Sequence, residues 1–277
     1  MYEDFYKLSG RPFLISPDYR FYFDARPHKK ALAYLTYAID QGEGFVVITG
    51  DIGTGKTTLI DYILSTFVGR NLVAAKVVST QLDADNMLRA VAEKFNVSQE
   101  GADKATVLKR IENFLADNHR MAKPVILFID EAQNLSRAAL EELRMLSNFQ
   151  LGNRPLLQTY LVGQPEFRNT LASKDMEQLR QRVITSCHLG PLDAEETQAY
   201  IEYRLKRVEW LDDPIFTEEA FQLIYEVSGG VPRRINIFCD RLLLTGFIER
   251  THEIDADLIH EVLSGMSEEG LVPAIAS

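Results

Sequence analysis

Hydrophobic residues follow two alternating patterns along the first two thirds of the chain. Short apolar runs, as at 45–49 and 125–129, have the length of buried strands, whereas Val107, Ile111 and Leu115 show helical spacing. We expect strands at 45–49, 72–78, 125–129, 156–162 and 183–189, with helices at 27–39, 56–67, 85–95, 104–118, 136–148, 167–172 and 175–182. This alternation predicts an α/β fold with a mostly parallel sheet between helices.

The pattern changes at both ends of this region. Residues 1–23 contain eight aromatic residues and two prolines, which favours an extended arm anchored on a larger domain. After Gly190 the strand pattern stops, and helices are expected at 194–208, 218–227, 232–248 and 255–263. We therefore predict a first domain at 1–190 that includes the aromatic arm, a small all-α domain at 191–268 and a flexible tail at 269–277.

Charge supports the same division. Residues 1–190 hold 23 basic and 22 acidic residues, whereas residues 191–277 hold 7 basic and 18 acidic ones. The net charge of −10 argues against broad nonspecific binding to nucleic acid. The composition is that of a globular protein without a membrane span or signal peptide, and Cys187 and Cys239 lack disulfide or zinc spacing. These features predict a cytoplasmic protein.

The clearest chemical motif lies between the first strand and the next helix. It runs through Gly50, Asp51, Ile52, Gly53, Thr54, Gly55, Lys56 and Thr57, followed by Thr58, and fits the spacing G-x-x-x-x-G-K-[ST]. Its glycines let successive backbone N–H groups surround phosphate oxygens. Lys56 is expected to reach the β- and γ-phosphates, and Thr57 is expected to ligate Mg²⁺. The alternative is a glycine-rich turn that binds nothing.

A second motif follows the strand at 125–129. Asp130 is expected to bind Mg²⁺ through its water shell, and Glu131 is expected to orient and deprotonate the attacking water. Adjacent acidic residues suit these two tasks because successive side chains that leave a strand point in different directions. Without the phosphate-binding loop, the same pair is explained equally well as a cap of the next helix.

Polar residues farther along the chain gain meaning from these two motifs. Gln164 ends a strand, where it either contacts the γ-phosphate or the attacking water, or simply forms a turn. Arg180 and Arg182 precede the last strand, where one either stabilises charge on a neighbouring subunit's nucleotide or remains a solvated surface residue. Arg233 and Arg234 open a helix of the acidic domain, where one either reaches the phosphates or pairs with local acids.

Together these motifs resemble those of an AAA+ ATPase. The strings at 1–6, 130–135, 163–167 and 232–236 are similar to those of the general secretion pathway protein A (ExeA-like) family. Within that family, the string at 139–150 resembles the ATPase encoded with exosortase/PEP-CTERM exopolysaccharide systems. The resemblance covers residues 1–265, and it implies a P-loop NTPase fold followed by a small helical lid.

The resemblance also implies an activity, ATP hydrolysis with Mg²⁺, and a role for each matching residue. The implied roles are phosphate and Mg²⁺ binding for Lys56 and Thr57, Mg²⁺ binding for Asp130, catalytic base for Glu131, first sensor for Gln164, arginine finger for Arg182 and lid sensor for Arg233, with Arg180 and Arg234 as rivals for the last two. It further implies a homo-oligomer and a protein partner in envelope export or exopolysaccharide export. Membrane attachment is expected only through that partner, and the phosphate loop alone leaves adenine and guanine open.

A DNA-associated AAA+ factor of the transposition-regulator type is the alternative, because such proteins carry the Asp-Glu-Ala-Gln string in related form. That function needs a basic track, for which the near-neutral first domain offers Arg137, Arg144 and Arg154. Nucleic acid is therefore not the expected partner.

Overall fold

The computed structural model describes residues 1–79 and 82–270, so most of the predicted tail at 269–277 lies outside the described residues. The strands are β1 (Phe45–Gly50), β2 (Val73–Val78), β3 (Val125–Asp130), β4 (Gln150–Leu151), β5 (Arg154–Pro155), β6 (Gln158–Gly163), β7 (Val183–Leu189), β8 (Ile215–Phe216) and β9 (Glu253–Ile254). The α-helices are α1 (Tyr2–Phe5), α2 (Arg26–Gln41), α3 (Lys56–Thr66), α4 (Ala84–Lys94), α5 (Lys104–Arg120), α6 (Arg137–Leu146), α7 (Phe167–Ala172), α8 (Glu177–Arg180), α9 (Ala194–Lys206), α10 (Glu218–Ser228), α11 (Pro232–Glu249) and α12 (Ala256–Glu268). Short 3₁₀ turns lie at Tyr19–Phe21, Ala132–Asn134 and Lys174–Met176.

The chain divides into two compact units. The helical unit comprises Met1–Ala25, Gly53–Gly55 and Pro191–Ser277, and the sheet unit comprises Arg26–Ile52 and Lys56–Gly190. In the part of the chain that the structure describes, no helix is both long and apolar enough to cross a bilayer.

Five parallel strands form the centre of the sheet unit, in the order β2-β3-β6-β1-β7. Every residue of β1, β3 and β6 is buried, as expected for central strands of a sheet that is covered on both faces. The predicted α/β fold with a parallel sheet is thus confirmed. This strand order brings the carboxyl ends of β3, β6 and β1 to adjacent positions along one edge of the sheet.

Helix ends in the sheet unit follow local capping chemistry. Asp83, Asp103 and Ser136 each accept a hydrogen bond from the backbone N–H three residues later, so α4, α5 and α6 begin directly after them. The sequence did not predict the antiparallel hairpin of β4 and β5, which turns at Gly152 with a φ of +64°. Strands of two residues are too short to show an alternating hydrophobic pattern.

The aromatic arm packs in the helical unit. Tyr2, Tyr6 and Phe13 are buried in one apolar core with the C-terminal helices. The Tyr2 hydroxyl donates to Asp240 at 2.6 Å, and the Tyr6 hydroxyl donates to the Thr251 carbonyl at 3.1 Å. The aromatic residues therefore anchor the arm, but the predicted domain at 1–190 needs a correction, because the apolar partners of these rings lie beyond residue 190.

The helical unit also departs from the expected all-α pattern. β8 and β9 pair in parallel through Ile215, Phe216, Glu253 and Ile254. The arm itself contains α1 and a 3₁₀ turn where an extended segment was expected. All of these elements are four residues or shorter, so the prediction of a mainly helical C-terminal region holds.

Candidate functional site

The loop that follows β1 folds around its own lysine. Lys56 begins α3 and is only 7% exposed, and its Nζ donates to the carbonyl oxygens of Gly50 at 2.6 Å and Asp51 at 2.8 Å. Burial lowers the pKa of this ammonium, while the nearby carboxylates of Glu131 and Asp130 act in the opposite direction. The first turn of an eleven-residue helix adds backbone N–H groups, so this loop provides positive potential for an anion.

Two glycines of the loop adopt backbone conformations that L-residues rarely reach. Gly53 has a φ of +87° and Gly55 a φ of +93°. A Cβ on Gly53 would lie 2.6 Å from the Cβ of Arg233, which belongs to the same helical unit. The Arg233 backbone N–H donates to the Gly53 carbonyl at 3.2 Å. The tip of the loop therefore packs against the first turn of α11, where only glycine leaves enough space.

Asp130, the last residue of β3, is held at both carboxylate oxygens. Its Oδ2 accepts from the Thr57 hydroxyl at 3.1 Å, and its Oδ1 accepts from the Glu131 backbone N–H at 3.0 Å. Lys76 on the neighbouring strand β2 lies 3.7 Å from the same Oδ2 and binds Asp61 at 2.7 Å. Asp130 is 3% exposed, so it presents a fixed carboxylate beside the hydroxyl of Thr57.

This oxygen pair fits Mg²⁺. The ion prefers one or two protein oxygen ligands together with waters and substrate phosphates. Thr57 Oγ1 and Asp130 Oδ2 already lie at hydrogen-bonding distance from each other, and Lys76 shows that Oδ2 accepts a neighbouring cation. Among the described residues, no group of three or more His, Cys, Asp or Glu side chains forms a protein-only metal cage. The chemistry of the donor set is that of a shared nucleotide–metal site.

Glu131 leaves β3 in a left-handed conformation, with φ of 56° and ψ of 41°. A short 3₁₀ turn at Ala132–Asn134 follows it, closed by a hydrogen bond from Asn134 N to Glu131 O at 3.0 Å. A left-handed residue other than glycine costs roughly 1–2 kcal/mol, so its surroundings must hold it. The carboxylate accepts a 2.5 Å hydrogen bond from the side chain of Gln133 and a 3.5 Å one from that of Gln164.

Five of the residues predicted from the sequence lie at the same edge of the sheet. Lys56 and Thr57 follow β1, Asp130 ends β3 and Glu131 follows it. Gln164 follows β6, which lies between β1 and β3 in the sheet. The carboxylates of Glu131 and Asp130 lie near enough to the Lys56 ammonium to raise its pKa against the effect of burial. The parallel order of the strands produces this arrangement, because every carboxyl end lies on the same side.

Arg180 and Arg182 lie elsewhere. Arg182 is paired with the beginning of β1, since its carbonyl accepts from Phe45 N at 2.9 Å. A six-residue strand separates that edge from the site by about 16 Å. Arg182 Nη1 donates to Ser147 Oγ at 2.7 Å, and exposed Arg180 donates to the Leu171 carbonyl at 3.1 Å. Any finger role for Arg182 would therefore concern a nucleotide of another subunit.

In the helical unit, Arg233 and Arg234 lie in the first turn of α11, which begins with Pro232. Both arginines are exposed. Arg233 is the one whose backbone and Cβ contact Gly53. The structure thus places Arg233 beside the loop tip, and its proposed contact with a phosphate remains a prediction.

Three side chains near the site were not predicted to be functional residues. Gln133 bonds the predicted base, Lys76 lies beside Asp130, and Arg168 donates to the Thr49 hydroxyl at 2.9 Å at the end of β1. A lysine within an apolar strand was a usable signal for Lys76. Gln133 belongs to the string at 130–135 that carries the resemblance, but that string gave it no role. Arg168 gave no signal, because a six-residue helix carries no periodic pattern.

Comparison with known protein sequences finds relatives of this chain. Residues 39–171 match the family model described as "AAA domain". General secretion pathway protein A of Aeromonas hydrophila is 36% identical over 277 residues, which covers 98% of this chain and 50% of that relative. The chain therefore spans half the length of this curated relative.

Solved structures show the same fold at low sequence identity. Cdc6p from Pyrobaculum aerophilum has a TM-score of 0.73 at 15% identity, covering 95% of this chain and 71% of that one. The RuvB Holliday junction branch migration motor of Thermotoga maritima has a TM-score of 0.59 at 21% identity, covering 89% and 71%. The fold is that of an α/β P-loop AAA protein with a C-terminal helical region.

Proposed function

Because this chain is an AAA-domain protein related to general secretion pathway protein A, we propose that it hydrolyses ATP with Mg²⁺ and acts as an assembly switch in a bacterial envelope secretion system. The arrangement at the carboxyl ends of β1 and β3 supports hydrolysis best. There Lys56, the Thr57–Asp130 pair and Glu131 supply a phosphate cation, two oxygen ligands and a carboxylate for water.

The proposed reaction uses each group for one task. Lys56 exchanges its two carbonyl acceptors for the β- and γ-phosphates of ATP, assisted by N–H groups of residues 50–58. Thr57 and Asp130 would hold Mg²⁺, which neutralises charge on the phosphate oxygens when bound. Glu131 takes a proton from water as the water oxygen bonds to the γ-phosphorus and the bond to the β–γ bridging oxygen breaks, giving ADP and phosphate. The Gln164 amide orients this water.

Replacement of Glu131 by Gln tests this proposal. The variant should bind Mg-ATP with the parent's affinity but lose at least 100-fold in phosphate release, because an amide cannot accept the proton. Binding is measured with a fluorescent ATP analogue and turnover by phosphate release. Glu141→Gln is the matched control, since Glu141 is paired with Arg144 at 2.6 Å on the surface of α6. Normal turnover by Glu131→Gln would remove the proposed base.

We further propose that the protein forms a homo-oligomer in which an arginine completes the neighbour's site. The position of Arg182 at the opposite edge of its own sheet supports action between subunits. Arg182→Ala should bind ATP without turnover, and mixing it with Lys56→Ala should restore part of the activity. The same mixture made with Arg180→Ala decides between the two arginines, and failure of both mixtures would exclude a finger in trans.

The partner is proposed from the relative and the sequence resemblance. Secretion is the role in the relative's name, and the string at 139–150 extends the proposal to an exopolysaccharide system of the exosortase/PEP-CTERM type. We place the ATPase in the cytoplasm, at the inner membrane only through its partner. Glu131→Gln with bound ATP should retain that partner in a pull-down from the native bacterium. Recovery of no envelope or exopolysaccharide protein would count against this assignment.

The structure weakens the DNA-associated alternative. Of the three arginines proposed for a basic track, Arg137 pairs with Asp175 and Arg144 with Glu141. Arg154 is exposed in β5. Because acidic side chains neutralise two of these three arginines, they fall short of the several phosphate contacts that duplex binding requires. Retention of duplex DNA at low salt by the ATP-bound protein would restore this alternative.

A further inference from the structure

One side-chain amide joins the end of β3 to the end of β6. Gln133 Nε2 donates to Oε2 of Glu131 at 2.5 Å, and Gln133 Oε1 accepts from the backbone N–H of Gln164 at 2.9 Å. An amide is the side chain that can donate at one end and accept at the other in fixed geometry. The half-buried Gln133 therefore contacts both the proposed base and the residue proposed to sense the γ-phosphate.

The neighbouring strand leaves space for this amide. Gly163 ends β6, and a Cβ placed on it would lie 2.8 Å from Gln133 Oε1 and 3.3 Å from Gln133 N. The φ of Gly163 lies outside the left-handed region, so backbone conformation does not require glycine here. Glycine is required because the Gln133 side chain occupies the space that a Cβ would fill.

The contacts of Glu131 are distributed unequally between its two oxygens. Both donors, Gln133 and Gln164, reach Oε2. Within the described residues, Oε1 accepts no side-chain hydrogen bond, so it remains available for a water proton. A carboxylate on a strained left-handed residue needs such anchoring, because free rotation would disperse its orientation.

We propose that Gln133 is a positioning residue that fixes the carboxylate of Glu131 for water activation and links it to the Gln164 backbone. This inference rests on the proposed ATPase function and adds a residue to it. The two hydrogen bonds of the Gln133 side chain, to Glu131 and to the Gln164 N–H, form what we call the Gln133 bridge. Movement of the end of β6 at the γ-phosphate changes this bridge and thereby the orientation of the Glu131 carboxylate. Nucleotide binding depends on the loop at 50–58, so loss of this bridge should leave the affinity for ATP unchanged.

Two variants at different positions test the bridge. Gln133→Met keeps the length of the side chain but removes both hydrogen bonds, and Gly163→Ala keeps Gln133 but fills its space. Each should lower kcat for ATP hydrolysis at least tenfold while the Kd for ATP stays within twofold of the parent. The double variant should be no slower than the slower single variant, because both changes break one bridge. Asn134→Ala, in the same 3₁₀ turn, should keep kcat within twofold.

The results separate the bridge from the proposed function. If Gln133→Met keeps kcat within twofold while Glu131→Gln is inactive, the base assignment stands and the bridge is refuted. Losses that multiply in the double variant, or a Kd that rises as much as kcat falls, would also refute it, because they indicate separate or general disruption. Normal turnover by Glu131→Gln would overturn both proposals. Thermal melts accompany each variant to establish that it is folded.

Discussion

A buried arginine in the helical unit provides the sharpest test of how the arm is attached. Arg204 on α9 is 5% exposed, and its Nε donates to the carbonyl of Pro12 in the arm at 2.5 Å. Its Nη1 donates to the Tyr200 hydroxyl at 2.7 Å, and its guanidinium lies 4.6 Å from the centre of the Phe21 ring. Arg204→Met keeps the apolar stem and removes all three interactions.

The expected loss follows from these contacts. A hydrogen bond from a charged donor is worth about 1.5–3 kcal/mol, and a partly desolvated cation–π contact about 1–2 kcal/mol. The variant regains the cost of burying a guanidinium but leaves the Pro12 carbonyl without that donor. We expect the free energy of unfolding of the helical unit to fall by about 3 kcal/mol.

Urea denaturation followed by tryptophan fluorescence measures this loss in the correct unit. Trp210 is the only tryptophan of the chain and lies in the helical unit, where its Nε1 donates to the Pro214 carbonyl at 3.0 Å. Arg207→Met is the matched control, because exposed Arg207 also donates to an arm carbonyl, that of Arg20, at 3.0 Å. In the control, the free energy of unfolding should fall by less than about 1 kcal/mol. Equal losses in the two variants, or a loss below about 1 kcal/mol for Arg204→Met, would refute this account.

Two further predictions concern the loop and the arm. Gly53→Ala should weaken ATP affinity at least tenfold, because its Cβ meets Arg233 at 2.6 Å, whereas Gly69→Ala, with a φ of +80° and open space, should leave it unchanged in the same titration. The hydrogen bond from Arg11 lowers the pKa of Glu3 to about 2 from 4.5, so this pair stabilises the fold above pH 4.5 and loses its effect towards pH 2. In urea titrations at several pH values across that range, the free energy of unfolding of the parent should fall by about 1 kcal/mol more than that of Glu3→Gln. The difference is small because both side chains are partly exposed to solvent. An equal fall in the two proteins would contradict this prediction.

The sheet and its edge were predictable because they depend on strong local patterns. Apolar runs of strand length predicted the buried strands β1 and β3 nearly to the residue, and the strand expected at 183–189 matches β7. The loop at 50–57 lies between β1 and α3, as its motif requires. Once the strands are parallel, the ends of β1 and β3 must lie on one side of the sheet. The proximity of Lys56, Asp130 and Glu131 could therefore be predicted without any knowledge of tertiary contacts.

The attachment of the arm was not predictable from the same patterns. Aromatic residues at 2–23 indicate burial, but burial alone does not say against which part of the chain. The deciding contacts join residues more than 190 positions apart, as in the bonds of Arg204 to Pro12 and of Tyr2 to Asp240. No sequence pattern distinguishes Arg204 from the exposed cations Lys206 and Arg207 of the same segment, because its contacts with Pro12 and Phe21 are with the arm.

The arm contacts α11 at several points along one helix, and this connects the fold to the proposed chemistry. Asn236 donates to the Leu14 carbonyl at 3.2 Å and accepts from Tyr200, which in turn accepts from Arg204. Gly246 farther along α11 faces the Tyr6 hydroxyl, which a Cβ would approach to 2.4 Å. The first turn of the same helix carries Arg233 against the loop tip. A helix fixed by the arm at its first turns and near its end presents that arginine in one orientation, which is what a phosphate contact requires.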